Sequence, residues 1–446
     1  MKAFLTSEAI TIAIALVLLV SRRGSRPNLR IREMFLLTNL AWITVCILGS
    51  LPFLLSHTVT SSTDAVFESV SGMTTTGATV LSGLDNLPVD ILLWRSTLQW
   101  IGGLGIIAFG TAVLPFLRIG GMRLFRTESS DLSEKALPRT GRLLTRLLLA
   151  YLALSLVCMV SYWIAGMSLF DAVNHAMTTM STGGFSTHDR SIAYFDSIAI
   201  ESIAVLFMTM AAVPFMLYLP VLVGRFGHIF KDGQVRTMLG IYASVSALCV
   251  VWLFATEQFE LGTSIREAFF NVVSIATTTG YVSADYTGWG SFAVVLFFFL
   301  TFIGGSSGST SGGIKIFRFK IAFMMFRETI QRLLHPSATF SRTMDDQPLT
   351  DEIVASVMAF ALTFAVTVGI GAALLAAFGN DFVTSFSAAA TAAANVGPGI
   401  GDVIGPVSNF ASLSDPSKWI ICAVMMLGRL EIFTLLILLT PSFWRH

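Results

Sequence analysis

One sixteen-residue pattern occurs four times along this chain, and it constrains the fold more than any other feature. The copies read DAVFESVSGMTTTGAT from Asp64, DAVNHAMTTMSTGGFS from Asp171, EAFFNVVSIATTTGYV from Glu267 and TSFSAAATAAANVGPG from Thr384. In each copy a glycine stands 13 residues after the first position, at Gly77, Gly184, Gly280 and Gly397. A hydroxyl residue stands six positions before that glycine, at Ser71, Thr178, Ser274 and Thr391. About 12 helical residues rise roughly 18 Å, which is about half a bilayer, so each copy reads as a half-helix followed by an irregular segment.

The stretches between the copies are long and apolar. Segments meeting the requirement of about 20 mainly apolar residues run approximately over 3–20, 34–56, 94–117, 147–167, 199–223, 237–256, 291–325, 352–377 and 418–440. With 54% hydrophobic and 12% charged residues and a mean hydropathy of +0.75, against roughly 25% charged residues in soluble domains, an ordinary cytosolic enzyme is excluded. A formal net charge of +1 offers no field for nucleic acid. The linkers alternate in kind. Arg22 to Arg32, Arg118 to Arg146, Arg225 to Arg236 and Lys315 to Arg342, with Arg445, hold about 22 of the 28 Lys and Arg residues, so these face the cytoplasm. The four repeats lie in the other linkers. Two crossings separate successive copies, so all four enter from the same outer face and can ring an axis along the membrane normal.

Irregular backbone at membrane depth must be buried in protein or line water. Thr75-Thr76, Thr182-Gly183, Thr278-Thr279 and Asn395-Val396 precede the glycines and suit an extended, strand-like path. Glycine permits a turn that a side chain would block, and stacked carbonyls from four strands can replace a cation's water shell. Each half-helix aims a C-terminus worth about −0.5 charge at the centre, which favours a cation. A lone TTTGAT reads better as a helix C-cap; four copies in one register favour the pore.

TTTGAT, STGGFSTHD, ATTTGY, NVGPG, the GGSSGSTSGG run and the ending GRLEIFTLLILLTPSFW resemble the Trk/Ktr/HKT superfamily of potassium transporters, and most closely its bacterial TrkH type, over nearly the whole chain. The resemblance implies K⁺ uptake across a bacterial inner membrane, a homodimer with one pore per subunit, and a cytosolic ring of TrkA-type nucleotide-binding subunits. It also implies that Gly77, Gly184, Gly280 and Gly397 are filter glycines whose flanking residues, including Ala78, Phe185, Tyr281 and Pro398, supply K⁺-coordinating carbonyls. The sodium-preferring branch of the superfamily differs at the first filter position. One apolar segment, 3–20, precedes the first membrane helix, pore half-helix, membrane helix unit where TrkH proteins have two, so the reading expects either a shortened start or half of an accessory hairpin.

The reading is therefore an all-α integral membrane protein with four tandem membrane helix, pore half-helix, membrane helix units in pseudo-fourfold symmetry, plus an N-terminal accessory helix. The divisions fall at 1–33, 34–146, 147–236, 237–350 and 351–446. Asp64, Asp171 and Glu267 read as caps of three pore helices. The run Gly304, Gly305, Ser306, Ser307, Gly308, Ser309, Thr310, Ser311, Gly312 and Gly313 interrupts an apolar span and leads to Lys315 and Arg318, read as directed towards the cytoplasm. Arg429 lies within the last span, where a charge is costly and functional by default; an ion pair with Glu431 is the structural alternative. The resemblance places the glycine-rich run, Lys315 and Arg429 below the filter as a gate. His175 reads as a packing residue, Arg118 to Arg146 as either a solvated loop or a docking segment, and Cys46, Cys158, Cys249 and Cys422 as buried hydrophobes. No catalytic, cofactor or metal constellation is visible beyond K⁺ at the filter, and an ion-coupled carrier is the alternative of another class.

Overall fold

The computed structural model describes residues 2–21, 31–112, 137–221, 224, 227–337, 342–344 and 347–445. The possible docking segment over 113–136 and the basic residues 22–30 lie outside these.

After an N-terminal helix, Lys2–Ser21, the same three-part order recurs four times. Unit 1 has membrane helix Ile31–Leu55, pore helix Ser62–Met73 and second membrane helix Val89–Ala112. Unit 2 has Leu137–Ile164, Leu169–Met180 and Ile198–Ala211, the last continuing as Phe215–Val221 after a 97° bend. Unit 3 has Gly233–Ala255, Leu261–Ala276, and Ser291–Leu300 with Ile316–Leu334. Unit 4 has Asp351–Ala377, Phe382–Ala394, and Asp415–Arg429 with Ile432–Leu439 after a 111° bend. A two-residue antiparallel ribbon, Thr343–Met344 with Gln347–Pro348, is the one sheet among the described residues.

Six helices are long and apolar enough to cross a membrane, and each bent pair adds another candidate span. Three of the four second membrane helices break, each for a local reason. Pro214 follows the first half in unit 2, where its missing N–H and fixed φ end a helix. The glycine and serine run occupies the break in unit 3, and Glu431 adopts φ +59° in unit 4.

Membrane helices carry apolar residues on both faces, as a bilayer requires. In Asp351–Ala377, Phe360, Phe364 and Val368 are buried while Leu362, Val366 and Ile370 are exposed. The pore helices are instead enclosed, and every residue from Ser387 to Ala394 is buried. Second membrane helices approach the pore-helix ends so closely that only glycine fits. A Cβ at Gly102 would stand 2.1 Å from the Met73 oxygen, and one at Gly428 would stand 2.1 Å from the Ala393 oxygen.

Candidate functional site

All four pore helices end in the same capped turn. In unit 1 the Thr75 N–H donates to the Gly72 oxygen and the Thr76 N–H to the Ser71 oxygen. Thr182 and Gly183, Thr278 and Thr279, and Asn395 and Val396 repeat both bonds, the second reaching Thr178, Ser274 and Thr391. This is the paired hydrogen bonding of a helix terminus closed through a left-handed residue. That residue is Thr75 at φ +53°, Thr182 at +51°, Thr278 at +59° and Asn395 at +54°. The continuous extended path expected from the sequence is thus corrected at its first residue. The C-cap and pore readings of these threonines are compatible, and the recurrent hydroxyl position supplies the carbonyl that accepts the outer bond.

The four glycines then close a ring. Each is left-handed, at φ +83°, +74°, +77° and +107° for Gly77, Gly184, Gly280 and Gly397. A Cβ at Gly77 would lie 2.1 Å from the Gly183 oxygen, at Gly184 1.9 Å from Thr279, at Gly280 2.0 Å from Val396, and at Gly397 2.7 Å from Thr76. Each glycine thus faces the carbonyl just before the next unit's glycine, in the order one, two, three, four, one. Gly77, Ala78, Gly184, Phe185, Gly280, Gly397 and Pro398 line a common outer cavity with His188 and Asp189. Tyr281 does not face that cavity. It is fully buried, and its hydroxyl meets Thr178 and Thr179 of the second pore helix.

The expected caps at Asp64, Asp171 and Glu267 are corrected. Ser61, Ser168 and Asp381 cap the first, second and fourth pore helices, and the third starts at Leu261, well before Glu267. Asp64 and Asp171 stand in the first turn. All three acids instead tie down the outgoing segments or a neighbouring unit: Asp64 pairs with Lys418 at 2.6 Å, Asp171 accepts from Thr187 at 2.7 Å, and Glu267 accepts from Ser283 at 2.5 Å.

Beneath the ring, the loop from Gly304 to Gly313 crosses the ends of three pore helices. The Thr310 hydroxyl contacts the Met180 oxygen, the Ser311 hydroxyl donates to the Thr277 oxygen, and the Gly313 N–H donates to the Ala394 oxygen. Gly312 N–H reaches the Thr278 hydroxyl at 2.6 Å. The loop's other end is held by Ser306 N–H on the Ala212 oxygen and Ser307 N–H on Gln234, while the Gly305 N–H donates to Ser311 within the loop. Gly308 and Ser309, with Lys315, Arg318, Arg429 and Glu431, line a second cavity on this side. Arg429 donates to the Thr310 oxygen at 2.9 Å, and Glu431 pairs with Arg318 at 2.8 Å instead. Lys315 and Arg318 do not project into the cytoplasm as expected. Both are buried, and the Lys315 ammonium turns back to the Ser311 oxygen.

His175 does more than pack. Fully buried, it contacts the Asp171 oxygen through Nδ1 and the Ser186 hydroxyl through Nε2, behind the second glycine segment. Glu68 and Asn271 occupy the equivalent position nine residues before their glycines, and they bind Thr79 with Val80 and Ser283 respectively. Sequence reasoning passed over Glu68, Arg95 and Gln99; for Glu68 and Arg95 a pair of opposite charges in apolar surroundings was the available signal. In the outer cavity His188 stacks on Tyr194 and bridges Asp85 at 2.5 Å and Asp171 at 3.4 Å. Burial alone would lower its imidazole, but the neighbouring carboxylates of Asp171 and Asp85 outweigh burial and raise it above the ordinary value.

The profile of the family described as TrkH, cation transport protein, matches residues 1–445. The chain is 47% identical over 447 residues to the Trk system potassium uptake protein TrkI of Halomonas elongata, covering 100% of this chain and 90% of that protein. It is 39% identical to the Trk system potassium uptake protein TrkH of Escherichia coli, over 100% of this chain and 92% of that one. The crystal structure of the potassium transporter TrkH from Vibrio parahaemolyticus superposes with a TM-score of 0.91 at 37% identity, again covering 100% and 92% of the two chains.

Proposed function

We propose that this chain, which belongs to the TrkH family of cation transport proteins, takes up K⁺ through a channel-like pore on the axis of its four units. The observation that carries the reading is the closed cycle of glycine-to-carbonyl approaches from Gly77 through Gly184, Gly280 and Gly397. Four carbonyls held at one level by four backbones can replace the water shell of a dehydrated ion. The four pore-helix C-termini point at the same region, each equivalent to about −0.5 charge, and so favour a cation there. The carbonyls of residues 75–78, 182–185, 278–281 and 395–398 are the proposed ligands. Asp189 lines the outer cavity, with Asp85 and Asp171 behind it bridged by His188, and these carboxylates are the proposed attraction for cations at the entrance.

The loop from Gly304 to Gly313 is the proposed gate. It lies across the inner end of the pathway, and the buried cations Lys315 and Arg429 sit beside it, where positive charge opposes passage of another cation until the loop withdraws. Withdrawal is assigned to a cytosolic nucleotide-binding partner of the TrkA type acting on a homodimer in the bacterial inner membrane. The proposed units begin at the helices Ile31–Leu55, Leu137–Ile164, Gly233–Ala255 and Asp351–Ala377, so the divisions expected after 33, 146 and 236 move forward to those helix starts, while the one after 350 stays.

Reconstituting the purified chain with that partner and recording currents in opposed K⁺ and Na⁺ gradients tests the reading. Discrete current steps with K⁺ preferred are expected. Smooth, saturating flux locked to a Na⁺ or H⁺ gradient would replace the pore with an ion-coupled carrier.

A further inference from the structure

The four glycine segments are not braced alike. In units 1 and 3 the residue before the glycine is a threonine whose hydroxyl pairs within its own strand, Thr74 with Thr76 at 2.7 Å and Thr277 with Thr279 at 2.8 Å. In unit 4 that residue is Val396, and the strand is held by Asn395, whose side-chain amide donates to Thr76 and to the Met425 oxygen, both at 3.0 Å. In unit 2 it is Gly183, which has no side chain. The vacated space is filled from another unit. The amide of Gln99, on the second membrane helix of unit 1, donates to the Gly183 oxygen at 2.6 Å and accepts from the Phe185 N–H at 3.1 Å. Gln99 is fully buried, and a Cβ at Gly183 would stand 2.4 Å from its side-chain carbon. One turn earlier, Arg95 donates to the Ser186 oxygen at 3.0 Å, lies 4.1 Å from the centre of the Phe185 ring, and pairs with buried Glu68 at 2.6 Å.

We infer that Gln99 is a specificity-determining residue for cation selection, acting on the second filter strand from outside its own unit. This rests on the proposed filter. The Gly183 carbonyl belongs to the ring of four that the glycines face, and it has two lone pairs. Gln99 occupies one and leaves the other for an ion, so the amide fixes the direction of that carbonyl and tempers its pull. Because the same amide also accepts from Phe185, its two bonds span Gly184 and set the height of that strand relative to the other three. Arg95 holds the Ser186 carbonyl, three residues farther along the same segment, and is a positioning residue. Phe185 and Arg95 together shield the amide from the outer cavity, so no water competes for it.

The test uses the full chain in a bacterial host lacking its own K⁺ uptake, with the ratio of K⁺ to Na⁺ flux per folded molecule as the readout. Gln99→Leu removes both hydrogen bonds and Gln99→Glu removes the donor at nearly constant shape. Each should lower the ratio roughly three- to tenfold, the value of one lost neutral hydrogen bond, while folded yield changes less. Gly77→Ser is the control for the filter itself. If it lowers the ratio and both Gln99 substitutions leave it unchanged, the inference is overturned while the filter stands; if none of the three moves it, the filter reading falls and the inference with it. Should neither Gln99 variant fold, Gly183→Thr alone and combined with Gln99→Ala decides. The single change should clash and lose yield, and the pair should recover yield and ratio, because the introduced threonine can meet Ser181 as its counterparts meet Thr74 and Thr277. A pair no better than Gly183→Thr alone overturns the inference.

Discussion

The guanidinium Nη1 of Arg429 donates a 2.9 Å hydrogen bond to the backbone oxygen of Thr310, joining the last membrane helix to the loop beneath the glycine ring. Arg429 is 3% exposed, and its Nε and Nη2 find no hydrogen-bond partner among the described residues. A buried cation with unmet donors costs free energy, which is poor construction for a strut and reasonable for a contact that must break. Arg429→Ala should raise K⁺ flux per folded molecule and reduce its dependence on the cytosolic partner. Shortening Ser306–Ser311 should act in the same direction. Rb⁺ uptake measured with and without the partner decides; normal yield with fully partner-dependent flux would remove the gate.

Two glycines of the loop separate contact from backbone strain. A Cβ at Gly312 would stand 2.3 Å from the Ala394 oxygen, whereas Gly308, at φ +77°, has open space around it. Gly308→Ala should cost about 1–2 kcal/mol of conformational strain with gating retained. Gly312→Ala should displace the loop from the fourth pore helix and raise partner-independent uptake. Equal uptake by the two variants would contradict a gate seated on that helix.

The His188 bridge makes the outer cavity pH-dependent. Its imidazole is raised in the fold, so the stabilisation is fully present below the unfolded value of about 6.5 and is lost as pH rises through the folded value. Thermal stability of the purified chain should therefore fall as pH is raised from about 6 towards 9. His188→Gln should be less stable at the low end and flatter across the range; a parallel slope in that variant would assign the pH dependence elsewhere.

Much of this was legible because it repeats. Four copies in one register located the glycines. The left-handed threonines were not legible, since β-branched residues at positive φ are outliers that only the packed surroundings enforce. The true caps were in the sequence: Ser61 and Ser168 each stand three residues before the aspartates first read as caps, the spacing of a capping pair. Lys315 and Arg318 looked solvated because a basic cluster normally is, but Lys315 turns back onto the Ser311 oxygen of the loop and Arg318 finds its carboxylate in Glu431, more than a hundred residues away. Gln99 carried no local signal, because its partners Gly183 and Phe185 come from another unit.

Orientation has its own test. Single cysteines at Ser62, Asp189, Asp285 and Asn409 should react with a membrane-impermeant reagent added outside, and those at Lys231 and Arg332 should not. Position 126, in the basic linker outside the described residues, should behave as the second group. External labelling at 231 would end the parallel arrangement of the four units.

The central claim is that four glycine-to-carbonyl approaches form one ion-selecting ring, and the most direct measurement is the K⁺ to Na⁺ flux ratio of Gly77→Ser, Gly184→Ser, Gly280→Ser and Gly397→Ser, each normalised to folded protein. Every introduced Cβ would stand 1.9 to 2.7 Å from a neighbouring unit's carbonyl, so that carbonyl must shift. The account predicts that all four ratios fall, by about tenfold or more, equivalent to about 1.4 kcal/mol of lost discrimination, with the smallest loss at Gly397, where the approach is longest. Four unchanged ratios in folded, transporting protein would place the ion path elsewhere.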